Sequence, residues 1–379
     1  MNRVTSVGRD AADRPASHGD RPGVSRRGFL RGLEGFGLAA ILSACGGPAH
    51  SRPVTSPTRT PTIKHRFVNV NGIRMHIAEA GTGPLVLLLH GWPEFWYSWR
   101  HQIPALAAAG YHVVAPDQRG YGQTDRPARV GDYAITRLVD DVTGLIDALG
   151  ERRAVVVGHD WGAIVAWNTA LMRPDRVRAV SALSVPHRWA EPQGESTPVA
   201  SLRSAYGDHF YIVHFQQPGV ADADMARDPR AFFRGILYSG SGDGPGWSAT
   251  IPKSGRILDS LTEPRALPAW LSERDVDTYA AQFTKTGFTG GLNWYRNFDT
   301  NWTQTARWRR TPIQAPALYI VGDRDKISES PQAKELITGR SPSVPNLKQA
   351  VVLPGRGHWI QQEEPDKVNE SLIRFLRSL

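Results

Sequence analysis

The sequence contains almost no cysteine: among 379 residues, Cys45 is the single example. One cysteine excludes an internal disulfide and a metal site built from several thiolates. Basic residues outnumber acidic ones by nine, but no dense block of Lys and Arg occurs that would indicate a nucleic-acid groove. Internal repeats of fixed period are also missing. We therefore expect an ordinary globular protein with no nucleic-acid partner.

The N-terminal region lacks an apolar run long enough to cross a membrane. Its apolar stretch, 32–44, is shorter than the roughly 20 residues that a spanning helix needs. It follows SRRGFL at 25–30, which resembles the twin-arginine export signal, and Glu34 gives it the weak hydrophobicity typical of such signals. LSAC at 42–45 resembles a bacterial lipobox, which implies that Cys45 becomes the lipidated first residue of the mature protein. The alternative is a disordered tail with a chance arginine pair.

These features predict how the chain begins and where it resides. We expect a signal peptide over 1–44 and an extended tether over 45–62, which is rich in Pro, Ser and Thr. A lipid on Cys45 would hold the protein at a membrane without a spanning helix. The sequence thus predicts an exported bacterial lipoprotein of the cell envelope, on the outer face of the membrane or its periplasmic side.

After the tether, short apolar runs alternate with helical patterns. A hairpin over 65–81 turns at Asn71-Gly72. Continuous apolar runs, typical of strands buried on both faces, follow at 84–90, 111–117, 153–159, 177–185, 315–323 and 348–355. Helical patterns lie between them at 95–109, 136–149, 161–172, 331–339 and 365–378. This alternation predicts an α/β fold with a mostly parallel sheet flanked by helices.

The alternation stops between about residues 187 and 311, in a segment rich in aromatic residues, Gly and Pro. Helical patterns occur within it at 201–216, 229–239 and 272–285. Because a strand pattern resumes at 315, we interpret the segment as a mainly helical cap inserted between strands, not as a separate domain. The predicted organisation is a first core segment, a cap and a second core segment, at 63–187, 188–311 and 312–379.

Three polar residues follow predicted strands, at the sheet edge where ligands bind in α/β proteins. AVVVGHDWGA at 154–163 has the form of a G-x-S-x-G nucleophile elbow, with Asp160 in place of serine. VGDRD supplies Asp325, with Asp323 as the alternative acid, and GRGHW supplies His358 after the last strand. Nucleophile, acid and histidine in this chain order resemble the triad of α/β hydrolases. We expect these three residues to act together.

A carboxylate at the elbow predicts a different reaction from serine. Serine attacking an sp³ carbon would leave an ether, whereas a carboxylate leaves an ester that water can open. Water activated by His358, whose ring Asp325 orients, could then attack the carbonyl carbon of Asp160. The loop HGWP at 90–93 suggests an oxyanion hole made by the backbone N–H groups of Trp92 and Trp161. Epoxides and alkyl halides are therefore the candidate substrates.

Longer segments point to one family. HGWPEFWYSWRHQIP, APDQRGYGQTDRP and VGHDWGA together resemble the soluble-type epoxide hydrolases of the α/β-hydrolase fold, over about residues 65–379. Haloalkane dehalogenases share the Asp elbow, the DWG sequence and the histidine, so those features do not separate the two families. The residue after His90-Gly91 is Trp92, as is usual in epoxide hydrolases, where many dehalogenases have Asn.

The resemblance implies two cap tyrosines that bind and protonate the epoxide oxygen. FYIVHFQQPG places the first at Tyr211, with Tyr206 as the alternative, and GFTGGLNWYRN places the second at Tyr295. The competing interpretation is that both are ordinary packing residues in an aromatic-rich cap. With Trp92 and Trp161, these two tyrosines form the expected substrate-binding set.

The sequence therefore predicts a hydrolase that opens epoxides to vicinal diols through a hydroxyalkyl ester on Asp160. It implies no metal and no organic cofactor, and its 12 tryptophans suggest a small lipophilic epoxide as the substrate. One alternative is a haloalkane dehalogenase with the same nucleophile. Another is a catalytically inactive hydrolase fold used as a surface binding protein. The sequence favours no particular oligomeric state.

Overall fold

Strands form a single eight-stranded sheet in the computed structural model, which describes residues 61–187 and 196–379. The strands are β1 Lys64–Val70, β2 Ile73–Ala80, β3 Leu85–Leu89, β4 His112–Pro116, β5 Ala154–His159, β6 Val177–Leu183, β7 Ala317–Gly322 and β8 Leu347–Leu353. Their order across the sheet is β1-β2-β4-β3-β5-β6-β7-β8. Only β2 runs in the opposite direction, antiparallel to β1 and β4, and all other neighbouring pairs are parallel, so the predicted mostly parallel sheet is confirmed.

Local sequence explains the hairpin and the central strands. Asn71 and Gly72 at the β1–β2 turn have φ of 45° and 76°, as a two-residue hairpin turn with two left-handed positions requires. Every residue of β3, β5 and β7 is buried, because both faces of the sheet are covered.

Helices cover both faces of the sheet and form the inserted region. In the described residues the α-helices are α1 Gln102–Ala108, α2 Ile135–Ala148, α3 Trp161–Met172, α4 Pro198–Tyr206, α5 Tyr211–His214, α6 Val220–Ala226, α7 Pro229–Ser239, α8 Glu273–Thr286, α9 Thr289–Tyr295, α10 Phe298–Gln304, α11 Pro331–Ile337, α12 Ile360–Glu363 and α13 Pro365–Arg377. None of these helices is long and apolar enough to cross a bilayer.

Alternate residues along the strands build two apolar cores. Leu87 of β3 belongs to the larger core, which α2, α3 and the inserted helices complete. Leu88, pointing to the opposite face, joins the second core with α1 and α13. The period of two along each strand thus separates the two helical layers.

Helices α4 to α10 lie between β6 and β7, which pair directly in the sheet. The irregular segment of the sequence is therefore a helical insertion between neighbouring parallel strands, and cap and core residues share the larger apolar core. The described residues, 61–187 and 196–379, belong to one compact unit. The predicted signal peptide, Cys45 and all but residues 61–62 of the predicted tether lie outside the described residues.

Two predicted helices differ from the structure. The residues predicted as one helix at 95–109 form a 3₁₀ turn, Trp96–Trp99, and then the separate helix α1. The single helix predicted over 201–216 is wrong, because α4 ends before Gly207 and α5 begins at Tyr211. Gly207 has φ of 83°, a conformation that stops a right-handed helix and that glycine adopts without a steric penalty.

Candidate active site

Asp160 lies on a sharp turn between β5 and α3, with φ of 52° and ψ of −120°. Few residues other than glycine adopt this backbone conformation. The two flanking glycines make the turn possible. A Cβ at Gly158 would lie 2.1 Å from the carbonyl oxygen of Gly162, and one at Gly162 would lie 2.0 Å from that of Leu89. The G-x-D-x-G spacing therefore follows from close packing of the turn against the sheet.

The two oxygens of the Asp160 carboxylate have different surroundings. Oδ1 accepts a hydrogen bond of 2.8 Å from the backbone N–H of Trp92. Oδ2 faces the ring of His358, with 3.6 Å to Nε2. Trp161 is the first residue of α3, and N–H groups in the first turn of a helix have no partner within the helix. The Trp92 N–H therefore contacts this carboxylate, and Trp161 follows Asp160 directly at the start of α3.

His358, after β8, and Asp325, after β7, complete the predicted triad in space. Nδ1 of His358 lies 3.0 Å from Oδ2 of Asp325, and the other ring nitrogen faces Asp160. Asp325 is buried, and its Oδ1 accepts a hydrogen bond of 3.0 Å from the backbone N–H of Ile327. The histidine ring thus lies between two carboxylates.

This arrangement shifts all three pKa values. Burial alone would lower the pKa of His358, but the carboxylates of Asp325 and Asp160 raise it well above its ordinary value. Burial alone would raise the pKa of Asp160, but the contact with His358 and the Trp92 N–H hold it below its ordinary value. The pKa of Asp325 is lowered against the effect of burial in the same way, chiefly by His358. The structure therefore favours an imidazolium between two carboxylates.

The two predicted cap tyrosines lie side by side. The ring centroids of Tyr211, at the start of α5, and Tyr295, at the end of α9, are 5.8 Å apart. The Tyr295 ring also packs edge-on against Trp161 at 5.1 Å and Trp92 at 5.7 Å. Burial, followed by the neighbouring Tyr211 and Asp160, raises the pKa of Tyr295 well above its ordinary value. The phenol therefore keeps its proton beside the carboxylate.

The alternative residues named from the sequence lie elsewhere. Tyr206, the alternative for the first tyrosine, is 63% exposed at the end of α4. Asp323 is exposed, and its Oδ1 accepts a hydrogen bond from the backbone N–H of Gly355, a loop contact. Tyr211 lies beside Tyr295 instead, and Asp325 lies beside His358.

Sequence reasoning missed Ser184 and Glu94. Ser184 Oγ donates to Asp325 Oδ2 at 2.5 Å and lies 3.0 Å from His358 Nδ1. Glu94 is fully buried, and its Oε2 lies 2.8 Å from Nδ1 of His159. The available signals were a hydroxyl at the end of an apolar strand run and an acid just after HGWP.

Fold and site together define an α/β hydrolase. The family model of the alpha/beta hydrolase fold matches residues 84–365. Epoxide hydrolase A of Mycobacterium tuberculosis is 47% identical over 323 residues, which cover 83% of this chain and 97% of that protein. Epoxide hydrolase 3 of Siraitia grosvenorii is 45% identical and covers 83% of this chain and 98% of its own length.

Solved structures that resemble this chain are also epoxide hydrolases. The crystal structure of Epoxide Hydrolase A from Mycobacterium thermoresistibile has a TM-score of 0.77 at 46% identity, covering 83% of this chain and 98% of that one. The Vigna radiata epoxide hydrolase VrEH1 has a TM-score of 0.76 at 42% identity, covering 84% and 99%. This chain belongs to the epoxide hydrolases of the α/β-hydrolase fold.

Proposed function

We propose that this chain hydrolyses epoxides to vicinal diols and that Asp160 is its nucleophile. The observation that carries the proposal is the position of the Asp160 carboxylate, at the elbow between the Trp92 N–H and the His358 ring. The adjacent pair Tyr211 and Tyr295 supplies two phenols beside it. A phenol pair suits an epoxide, whose ring oxygen must gain a proton when the ring opens, better than a halide, which leaves without one.

In the first half-reaction Oδ2 of Asp160 attacks an epoxide carbon, because Oδ1 is already held by the Trp92 N–H. The C–O bond of the ring breaks, and the oxygen takes a proton from one of the two tyrosines. The product of this step is a hydroxyalkyl ester, and the tyrosinate regains its proton from the His358 imidazolium. Oδ1 becomes the carbonyl oxygen of the ester.

Esterification prepares the second half-reaction by removing a charge. The Asp160 ester is neutral, so His358 loses one of the two carboxylates that raise its pKa, and the ring becomes a base. Nε2 of His358 takes a proton from water, and the hydroxide adds to the carbonyl carbon of Asp160. Oδ1 carries the resulting negative charge beside the N–H groups of Trp92 and Trp161. The ester bond then breaks, and the diol oxygen takes the proton of the new carboxylic acid, while His358 is left as the imidazolium.

Trapping the ester tests this proposal. In His358→Gln the first half-reaction proceeds but hydrolysis stops, because no base activates water. Incubation with an epoxide should therefore raise the intact protein mass by the mass of one substrate molecule. After proteolysis, the added mass should lie on the peptide that contains Asp160. Asp160→Ala is the matched control and should gain no mass. Continued diol formation by His358→Gln without mass increase would contradict the proposal.

We also propose that the protein is exported and held at the membrane by a lipid on Cys45. The support is the order of three sequence features, the arginine pair at 26–27, the short apolar stretch and LSAC at 42–45. The predicted tether, 45–62, would separate the lipid on its first residue from the folded part.

Fractionation of the native bacterial host tests the location. The wild-type chain should sediment with membranes, and Cys45→Ser should move to the soluble exported fraction because the anchor is lost. Replacing Arg26 and Arg27 by lysine should instead retain the chain in the cytoplasm. Identical distribution of all three forms would refute the proposal.

A further inference from the structure

A buried hydroxyl group lies between the acid and the histidine of the site. Ser184 is fully buried at the carboxyl end of β6. Its Oγ donates a hydrogen bond of 2.5 Å to Oδ2 of Asp325 and lies 3.0 Å from Nδ1 of His358. The same Oδ2 also accepts from the histidine ring at 3.0 Å. One carboxylate oxygen therefore holds both the hydroxyl and the imidazole.

The backbone at Ser184 is strained and firmly held. Its φ is 70°, which few residues other than glycine adopt. The N–H of Val185 donates to the carbonyl of Leu183 at 2.9 Å, which makes a γ-turn of the rare kind with positive φ. The backbone N–H of Ser184 donates to the carbonyl of Ile320 in β7 at 2.8 Å. Its carbonyl accepts a hydrogen bond of 2.7 Å from the hydroxyl of Tyr319 in the same strand. Strain maintained by such neighbours is characteristic of functional sites.

We propose that Ser184 is a positioning residue for the second half-reaction: its hydroxyl fixes Asp325 Oδ2 at Nδ1 of His358, so that Nε2 faces Asp160 and the attacking water. This inference rests on the roles proposed above for His358 and Asp325. Attack on the epoxide uses the Asp160 carboxylate and the tyrosines, whereas the hydroxyl of Ser184 lies at Asp325 and His358. Hydrolysis of the ester, in contrast, depends on the orientation and basicity of the imidazole.

The inference predicts the direction of a pH effect. The titratable groups that face His358 are Asp325, Asp160, His159 and Glu363, and Ser184 bonds to the first of them. A hydroxyl donor stabilises the carboxylate anion of Asp325 and weakens its pull on the imidazolium proton. Without that donor the pKa of His358 rises, and the neutral base appears only at higher pH. The acid limb of ester hydrolysis should therefore move to higher pH.

Single-turnover kinetics separate the two half-reactions in Ser184→Ala and Ser184→Gly. Ester hydrolysis should slow about tenfold in both variants, and ester formation should stay within about twofold. The ester then accumulates at steady state, and the acid limb of its hydrolysis moves up by about half a pH unit. Glycine suits the positive φ, so equal losses in the two variants assign the effect to the hydroxyl and not to the backbone.

Ser181→Ala is the matched control. Ser181 lies on β6, just before Ser184, and its buried Oγ has no hydrogen-bond partner among the described residues, so both half-reactions should keep wild-type rates. Wild-type hydrolysis in Ser184→Gly, or an equal loss in both half-reactions, would overturn the inference. Failure of His358→Gln to accumulate ester would instead contradict the proposed roles of the triad. That outcome is therefore distinct from a failure of the inference about Ser184 alone.

Discussion

Asp160 is prepared for its proposed role before substrate arrives. Its two oxygens are made different by Trp92 and His358, and its lowered pKa keeps the nucleophile ionised as the pH falls below neutrality. A carboxylate with a lowered pKa loses its charge only at a more acidic pH than an ordinary one. Ester formation should therefore persist on mild acidification, whereas ester hydrolysis should fall as His358, whose neutral form is the base, becomes protonated.

The tyrosine pair gives a residue-scale prediction that separates epoxide opening from halide displacement. Tyr211→Phe and Tyr295→Phe should each slow ester formation about 10- to 100-fold, because each removes one donor to the ring oxygen. The double variant should lose nearly all epoxide opening, measured by stopped-flow tryptophan fluorescence.

Tyr206→Phe is the control for this experiment. Its side chain is largely exposed, so its substitution should leave ester formation unchanged. A double variant of Tyr211 and Tyr295 that still opened epoxides at the wild-type rate would contradict the account, and halide release by it would favour the dehalogenase alternative.

How far the sequence predicts the site depends on the kind of residue. Asp160, Asp325 and His358 each follow a strand in a fixed chain order, so their meeting could be predicted from the pattern. Ser184 could not, because in the run VRAVSALSV a hydroxyl resembles an ordinary core position. Its role arises only from tertiary contacts, when β6 and β7 pair and Ser184 meets Asp325.

At the scale of elements, the position of Tyr295 depends on how α9 is attached within the cap. Arg296 follows Tyr295, and its guanidinium forms a salt bridge of 2.5 Å with Asp222 of α6. Its Nε also donates to the backbone carbonyl of Phe215 at 3.0 Å. Because Phe215 follows α5, this arginine ties the helix that carries Tyr295 to the segment that carries Tyr211.

Removing the carboxylate of Asp222, the partner of Arg296, should loosen the cap. Asp222→Asn leaves the nearly buried guanidinium of Arg296 without its counter-charge, which should lower the free energy of unfolding by about 3 kcal/mol. Urea denaturation measures the loss, and slower ester formation should accompany it because the tyrosines are displaced. Asp208→Asn, which breaks the exposed pair with Arg203, is the control and should change neither quantity measurably. Equal stability of the two variants would show that the Arg296 contact does not hold the cap.

The elements differ in how well the sequence predicts them. The central strands were predictable, because burial on both faces leaves continuous apolar runs. The break between α4 and α5 was not, because one glycine inside a helical pattern can be either tolerated or a stop. The φ of 83° at Gly207 makes it a stop, and it places Tyr211 at the beginning of a helix instead of in the middle of one.

At the scale of the whole molecule, the insertion point of the cap connects fold and site. The cap leaves the sheet after β6, where Ser184 lies, and returns at β7, which leads to Asp325. One core end of the insertion therefore carries the proposed positioning residue and the other leads to the acid of the triad, and the cap supplies Tyr211 and Tyr295 from the sequence between them. The sequence pattern predicts the insertion, but the resemblance to epoxide hydrolases was needed to select those two tyrosines among many aromatic residues.

The central claim is that the reaction passes through an ester on Asp160, and the origin of the added oxygen tests it most directly. Enzyme made in ordinary water and used in excess over an epoxide in ¹⁸O-labelled water should give a first diol without label. The label should appear instead in the Asp160 carboxylate, because hydroxide adds to its carbonyl carbon and the original Oδ2 leaves with the diol. Labelled diol in the first turnover, with no label in the Asp160 peptide, would contradict the account.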